Sequence, residues 1–203
     1  HEPDPENNTH VTEQIDQYLA LTILKPILES ESILKIGQNI KYDIKIFHKY
    51  GIKLNVIDDT MLISYTLFGG LHRHNMDTLS ERYLSHKTIK IKSLIGSGKA
   101  SINFSKVPIS QAAKYASEDA DVTIRLWKVL KKKLYDARKT SVYETLERPL
   151  VPVLADMELN GILVNHDHLS SMSRKLEINI LQLEKEIQSL AQEEFNVASP
   201  KQL

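Results

Sequence analysis

The sequence predicts an α/β domain followed by a helical segment. Two short apolar runs rich in β-branched residues each precede a helical stretch, which is typical of strands joined by crossover helices. Longer stretches with apolar residues three or four apart predict amphipathic helices between and after these strands.

The first part of the chain divides at its prolines and glycines. Residues 1–11 hold two prolines and no apolar periodicity, which predicts a loop or disordered segment. Helical spacing over 12–30 predicts a helix that kinks or ends at Pro26. The apolar run at 33–39 predicts a buried strand, and residues 40–51 predict a helix that ends at a glycine.

The middle part predicts one more strand and three helices. The strand ends at 55–57 and precedes a helix over 60–67, and residues 75–84 predict the next helix. The lysine-rich residues 86–106 predict a loop. Ser110 is the predicted N-cap of a long helix, so the acidic residues that follow lie in its second and third turns and are not helix caps.

A second unit is predicted to begin near Glu147. Asn160-Gly161 predicts a turn, and residues 162–165 after it predict a strand. Residues 167–194 predict one long helix with an apolar stripe, which indicates packing against further chain. The stripe comprises Leu169, Met172, Leu176, Ile180, Leu183, Ile187 and Leu190.

Composition excludes several classes of protein. Of the 203 residues, 41% are hydrophobic and none is cysteine, which excludes disulfides and thiolate metal sites. No apolar run reaches the ~18 residues that a membrane-spanning helix needs, and no secretion signal opens the chain. We therefore expect a cytoplasmic, monomeric protein that makes no membrane contact.

The net charge is zero, but the charges are unevenly distributed. Residues 82–140 hold 14 Lys or Arg against 4 Asp or Glu, as counted in the sequence. Such a basic block favours a polyanionic partner. The alternative is that the lysines at 131–133 only solvate the end of a helix, where cations suit the helix dipole.

Two pairs of polar residues share a four-residue spacing. Asn39 and Asp43 lie at a strand-to-helix junction, and Tyr115 and Asp119 lie on one face of the long helix. Like charges in one turn destabilise a helix unless a cation lies between them. Carboxylates bind Mg²⁺ or Mn²⁺, and two such ions ~4 Å apart activate water and stabilise the leaving oxygen of a phosphodiester. The pattern predicts half of a two-metal phosphodiesterase site.

The order of five segments resembles bacterial DNA polymerases of family A (DNA polymerase I), over residues 13–203. The resemblance implies a ribonuclease H-like 3′–5′ exonuclease domain over 12–146, without its opening strands, and the helical start of a polymerase thumb over 147–203. Exonucleases of the ribonuclease D type share the acidic motifs but not the last segment, which disfavours a ribonuclease. The segments are KIGQNIKYDIKIF, DDTMLISYTL, HNMDTLSERYLSHKTI, KYASEDADVT and ERPLVPVLADMELNGILV.

The resemblance implies a role for each predicted site residue. Asp43 and Asp119 would bind the two Mg²⁺ or Mn²⁺ ions of a complete site, and Tyr115 would orient the attacking water. The single-stranded 3′ end of DNA would contact a further set of residues, with primer-template DNA as the partner of the parent protein. That set comprises Gln38, Asn39, Tyr42, Arg73 and Ile91.

Neighbouring acidic residues are interpreted as structural. In the family pattern Asp58 and Asp59 lie near the site, but capping of the next helix is the favoured role for both. Glu118 and Asp121 flank the motif, and Asp121 is interpreted as support or a surface charge and not as a ligand.

Two departures from the family pattern bear on activity. The family's first motif is Asp-x-Glu on an apolar strand, and Asp4-Pro5-Glu6 is excluded as that motif because no apolar strand surrounds it. Either the strands that carry the motif lie upstream of this chain or the protein has lost them. Ile91 stands where the family often has an aromatic residue, and it loses base stacking worth about 1–3 kcal/mol per base.

These observations predict a piece of a DNA polymerase that acts in replication and repair. The parent would hydrolyse 3′-terminal phosphodiesters of DNA (proofreading), whereas this chain alone would be weak or inactive because two ligands hardly fix two ions. The polymerase motifs are absent from these residues. The alternative is a catalytically inert, DNA-binding or scaffolding module of a DNA polymerase I.

Overall fold

The computed structural model describes residues 14–199, so the predicted loop at 1–11 lies outside the described residues. The described chain forms two compact units, 14–160 and 161–199. The predicted domain boundary between 146 and 147 stays a prediction. None of the described helices is long and apolar enough to cross a membrane.

The secondary structure is predominantly helical, with two short strands. The strands are β1 (Lys35–Gly37) and β2 (Ile57–Asp59). The helices are α1 (Gln17–Glu29), α2 (Ile40–His48), α3 (Thr60–Phe68), α4 (Met76–Leu84), α5 (Ile91–Ile95), α6 (Ile109–Asp136), α7 (Thr140–Val142), α8 (Arg148–Asn160) and α9 (His166–Ala191).

The two strands form a parallel pair in which Gly37 lies opposite Asp59. Parallel strands need a crossover connection, and α2 with the loop after it supplies this connection. Two strands and the helices predicted after them are present, but β1 is half-buried and not buried as expected, and β2 runs to Asp59, beyond the predicted strand end at 55–57. Because the strands are parallel, the C-terminal ends of β1 and β2 lie at the same edge of the sheet. The starts of α2 and α3 therefore lie at that edge too.

Two helix boundaries differ from the expectation. Pro26 neither ends α1 nor lies at its terminus, since the helix continues to Glu29. Pro26 removes only one backbone donor, and the residues around it keep helical geometry. Ser110 lies inside the first turn of α6, and Pro108 occupies the N-cap position with extended backbone.

Two segments also differ in type. The lysine-rich region 86–106 is not a plain loop, because it contains α5 and two short 3₁₀ turns, Gly98–Ala100 and Phe104–Lys106. The predicted strand at 162–165 is wrong. These residues have no strand partner among the described residues, and Leu163 is fully exposed, so neither pairing nor burial holds them in a sheet.

The main core of the first unit lies between α3, α4 and α6. Along α6 every fourth residue from Val122 to Leu134 is fully buried, as a single helix face requires. Ile63 of α3 and Leu79 of α4 pack against this face together with Tyr143. A smaller cluster connects α2, β2 and α8.

A buried carboxylate joins β2 to the helices behind it. Asp58 is 1% exposed and accepts hydrogen bonds from Trp127 Nε1 at 2.7 Å, Lys131 Nζ at 3.1 Å and the Tyr143 hydroxyl at 3.0 Å. Arg148 lies at 3.4 Å on the same carboxylate. The expectation that Asp58 caps a helix is therefore wrong, because its oxygens are directed at α6 and α8.

Tyr143 opens a π-helical turn, Tyr143–Glu147, between α7 and α8. Pro149 and Pro152 follow this turn and cannot donate regular helical hydrogen bonds. Prolines and π-helical turns both interrupt the regular hydrogen-bond ladder of an α-helix. The turn places the Tyr143 hydroxyl against β2.

In the second unit, α9 spans the stripe predicted from the sequence, and none of its residues is buried. Leu176 and Leu183, in the middle of the stripe, are 53% and 56% exposed. The expectation of a long amphipathic helix is confirmed.

Replacing Tyr143 with Phe is expected to lower the free energy of unfolding by about 1–3 kcal/mol. The hydroxyl donates to Asp58 and accepts the Asp59 N–H at 3.0 Å, so its removal leaves that buried N–H without a partner. Urea unfolding measures the change. Tyr135→Phe is the matched control, because Tyr135 is 76% exposed. Equal stability of the two variants would contradict the network.

Candidate functional site

The junction between β1 and α2 holds Asn39 in an unusual conformation. Asn39 has φ 60° and ψ 46° and precedes α2 without capping it through its own side chain. Gly37 allows this tight junction, since a Cβ there would lie 2.9 Å from Ile40 Cβ. The buried Asp59 carboxylate accepts the N–H groups of Asn39 at 3.0 Å and Ile40 at 2.9 Å.

Asp43 lies one turn into α2 and is half-buried. Burial raises the pKa of Asp43, and the nearby Asp59 charge raises it further, against the effect of a backbone hydrogen bond. Tyr42, next to it, is 60% exposed. The first turn of α2 therefore presents a carboxylate and an open aromatic ring close to the exposed Asn39.

Gln38 connects this junction to the loop before α4. Its amide Nε2 donates to the His74 carbonyl at 2.8 Å, and its Oε1 accepts from the Thr60 hydroxyl. Arg73 is exposed and forms no ion pair with any described residue. A cavity of about 590 Å³ opens beside it, lined by Met61, Leu62, Tyr65, Arg73, His74 and Asn75.

On α6, which packs against β1, Tyr115 and Asp119 interact as the spacing predicts. The Tyr115 phenol lies close enough to the Asp119 carboxylate to lower the pKa of that carboxyl. Burial, and then the Asp119 charge, raise the pKa of Tyr115 to about 12. Burial also raises the pKa of Asp119; the Tyr115 bond opposes this, and the charges of Glu118 and Asp77 add to it.

Sequence reasoning missed the role of Glu118. Its carboxylate accepts from His86 Nε2 at 2.9 Å and from the Ile89 N–H at 2.6 Å. The Thr88 hydroxyl donates to Asp77 at 2.6 Å. These bonds hold the segment 86–89 against α4 and α6. No spacing in the sequence could have shown this, because the partners are about 30 residues apart.

The same bonds fix the chain just before Ile91. Ile91 is the first residue of α5, which packs against α6, and it is 37% exposed. The apolar side chain of Ile91 is therefore partly exposed to solvent, next to the helix that carries Tyr115 and Asp119. Its predicted contact with a terminal base stays a prediction.

The predicted site residues fall into two sets. Asn39, Tyr42 and Asp43 belong to the β1–α2 junction, whereas Tyr115 and Asp119 belong to α6. The side chain that affects the pKa of Asp43 is Asp59. The side chains that affect the pKa of Asp119 are Tyr115, Glu118 and Asp77. Within residues 14–199, neither Asp43 nor Asp119 has an ion-pair partner.

Asp43 and Asp119 match the ligands that a protein usually contributes to a magnesium site. Mg²⁺ is commonly held by one or two carboxylates, with water and substrate oxygens completing its shell, and both groups are half-buried without a cation beside them. The described part of the chain contains no cluster of three or more His, Asp or Glu side chains that could hold a metal. The donors suit the ion, but they do not form a closed metal site.

Replacing Glu118 with Gln is expected to reduce the acid sensitivity of the fold. The Ile89 N–H and His86 lower the pKa of Glu118 below its usual value of 4.5, so its stabilising effect is present above pH 4.5 and disappears as the pH falls through the lowered pKa. Glu118→Gln would remove that part of the pH dependence. Unfolding free energies measured across the acid range test this.

Asp121→Asn is the control, since Asp121 pairs only with Arg125 on the surface and its side chain is 60% exposed. A Glu118→Gln variant whose unfolding free energy falls with acid as steeply as that of the unchanged chain would contradict the role of Glu118.

Comparisons with known proteins agree with the resemblance seen in the sequence. The chain is 54% identical to DNA polymerase I of Rhizobium leguminosarum over 190 residues, which cover 94% of this chain and 19% of that protein. It is 43% identical to DNA polymerase I of Pseudomonas aeruginosa over 197 residues, covering 95% and 22%. The chain thus spans about a fifth of the length of these relatives.

Solved structures show a related fold. The POL domain of Pol1 from M. smegmatis, in complex with DNA primer-template and dNTP, has a TM-score of 0.68 at 21% identity over 94% of this chain and 30% of that chain. Brucella melitensis NrnC has a TM-score of 0.58 at 22% identity, over 68% and 64%. At such identities the likeness concerns the fold alone.

A sequence model described as the 3′–5′ exonuclease of DNA polymerase A matches residues 4–135. The match covers well over half of the chain and includes both polar pairs, from Asn39 to Asp119. The chain therefore belongs to the 3′–5′ exonuclease family of family A DNA polymerases.

Proposed function

We propose that this chain is the 3′–5′ exonuclease part of a DNA polymerase I, with a ribonuclease H-like core over 12–146 and the start of the polymerase domain over 147–203. The observation that carries the proposal is that Asp43 on α2 and Asp119 on α6 are half-buried carboxylates, and neither has an ion-pair partner among the described residues. The parent would act as a monomer on DNA in the bacterial cytoplasm.

The open side of the β1–α2 junction suits a single-stranded 3′ end. Arg73 is exposed and has no carboxylate partner among the described residues, so its charge is available to a phosphate. The Tyr42 ring is exposed enough to contact a sugar or base. Asn39 is exposed at the junction and offers amide donors and acceptors, and Ile91 on α5 offers an apolar contact.

Tyr115 would orient the attacking water and not deprotonate it. With a pKa raised to about 12, its phenol keeps its proton at neutral pH. It can therefore donate a hydrogen bond to Asp119 while an oxygen lone pair accepts one from water. A general base would need a pKa closer to neutrality.

Asp43 and Asp119 would hold the metal ions. When bound, two Mg²⁺ or Mn²⁺ ions supply activation of water and stabilisation of the leaving 3′ oxygen. The raised pKa values of both carboxyls fit this role, because the protein leaves their charges uncompensated.

The alternative function is an inert DNA-binding or scaffolding module. It is favoured by one observation, the lack of a cluster of three or more metal-ligating side chains among the described residues. For this chain alone we expect little or no cleavage. The exonuclease proposal therefore concerns the parent protein, and binding of the 3′ end is the property that this chain should retain.

The chain is expected to bind a linear single-stranded oligonucleotide more tightly than a circular one of the same composition. Fluorescence anisotropy with the linear probe, competed by the circle, measures this preference. Arg73→Ala should weaken binding of the linear DNA. It should also reduce the slope of log affinity against log salt concentration by the amount expected for the loss of about one phosphate contact. Arg174→Ala is the control, because Arg174 is an exposed residue of α9 and lies outside the basic block 82–140. Equal affinity for the two DNA forms would refute recognition of the 3′ end.

Metal titration and cleavage distinguish the two functions. Calorimetric heat with Mn²⁺ that is lost in Asp119→Ala would support the metal-dependent site, and no heat would support the inert module. A 5′-labelled oligonucleotide with Mn²⁺ then reports activity directly. A ladder that shortens from the 3′ end, absent in Asp119→Ala, would show that the residues of this chain suffice, against our expectation for the chain alone.

A further inference from the structure

Asp59 has contacts that a simple helix cap does not need. It lies at the end of β2, is 2% exposed, and caps α3 by accepting the Met61 N–H at 2.9 Å. The same oxygen, Oδ1, also accepts the Asn39 N–H, and Oδ2 accepts the Ile40 N–H. One carboxylate therefore binds the start of two helices, α3 and α2.

The sheet register makes this arrangement possible. Gly37 lies opposite Asp59 in the parallel pair, so the chain leaving β1 passes directly beside the carboxylate. Both helices direct their first N–H groups, the positive end of the helix dipole, at the same buried oxygens. The negative charge of Asp59 is compensated by these groups, and no cationic side chain of the described residues pairs with it.

The start of α2 depends on this external carboxylate. Asn39, the N-cap residue, has the left-handed φ of 60° and makes no side-chain capping bond of its own. Non-glycine residues adopt this region at a cost in free energy. The bonds from the Asn39 and Ile40 N–H groups to Asp59 offset that cost, so they determine how the first turn of α2 leaves the strand.

We propose that Asp59 is a positioning residue of the DNA site: it holds Asn39 in the left-handed conformation and so sets where Asn39, Tyr42 and Asp43 face the 3′ end. This inference rests on the proposed function and extends it. Asp59 is buried and touches no substrate, so it acts only through the junction.

The competing explanation is that Asp59 merely stabilises the fold as a cap. Asp16 provides the comparison within the chain: its carboxylate caps α1 by accepting the Leu19 N–H at 2.9 Å and, unlike Asp59, does not bind the start of a second described helix. A serine can serve as an N-cap as well as aspartate does. At position 59, however, serine has a single short oxygen and cannot also reach Asn39 and Ile40.

The test compares Asp59→Ser with the matched cap substitution Asp16→Ser, on the intact chain. NMR reports the Asn39 and Ile40 amide protons and the intraresidue HN–Hα contact of Asn39, which is strong only at positive φ. Binding is measured with the linear and circular single-stranded DNA. Should Asp59→Ser not fold, Asp59→Asn takes its place, because its amide keeps one acceptor oxygen and loses the bond to Ile40; the Ile40 amide signal should then move upfield and linear-DNA affinity should fall, and unchanged linear-DNA affinity would overturn the inference.

In Asp59→Ser we expect both amide signals to move upfield and Asn39 to lose the positive-φ signature. Affinity for the linear DNA should fall about tenfold, the effect of losing one or two charge-assisted hydrogen bonds from the site, while affinity for the circle stays within about twofold. Asp16→Ser should change none of these.

Two outcomes would overturn the inference. One is that Asn39 keeps its positive φ in Asp59→Ser; the other is that Asn39 changes and linear-DNA affinity does not. Failure of the proposed function looks different, since the unchanged chain would then show no preference for linear over circular DNA.

Discussion

Two adjacent buried carboxylates at the end of β2 hold together the elements that carry the site. Asp58 accepts from α6, α8 and the π-helical turn, and Asp59 accepts from the starts of α2 and α3. Burying an ionised carboxylate costs several kcal/mol unless donors surround it. Asp58 is stabilised by cationic and neutral side chains, whereas Asp59 is stabilised by backbone N–H groups alone. A β2 strand of three residues thus fixes the helices that bear Asp43 and Asp119.

In the candidate site, by contrast with Asp58 and Asp59, the carboxylate of Asp119 has acidic neighbours. Burial raises the pKa of Asp119, the Tyr115 phenol opposes this, and the charges of Glu118 and Asp77 raise the pKa further. Such an arrangement is unfavourable for the fold and is common where function requires it. Glu118 is the exception in the group, because its charge is used to hold the chain before Ile91. The pKa of Glu118 is lowered, whereas that of the neighbouring Asp119 is raised.

The sequence predicted those features whose cause is local. Helical spacing located α2, α3, α4 and α9, the four-residue spacing paired Tyr115 with Asp119, and the order of motifs indicated the family. Contacts between distant segments were not predictable in the same way. The bonds of Asp58 to Trp127 and of Glu118 to Ile89 depend on packing, and the sequence around Asp58 and Asp59 suggested the same capping role for both. The strand expected at 162–165 failed for a related reason, since a strand needs a partner that its own letters do not show.

The most direct test of the account asks where the end of the DNA lies on this chain. A single-stranded oligonucleotide with a nitroxide label near its 3′ end would broaden the NMR signals of nearby residues. The account predicts broadening at 38–43 and 115–119, and its loss when the label is moved to the 5′ end of a long oligonucleotide. Broadening confined to the lysines at 131–133, or independent of which end is labelled, would contradict a 3′-end site and indicate only nonspecific attraction to a basic surface.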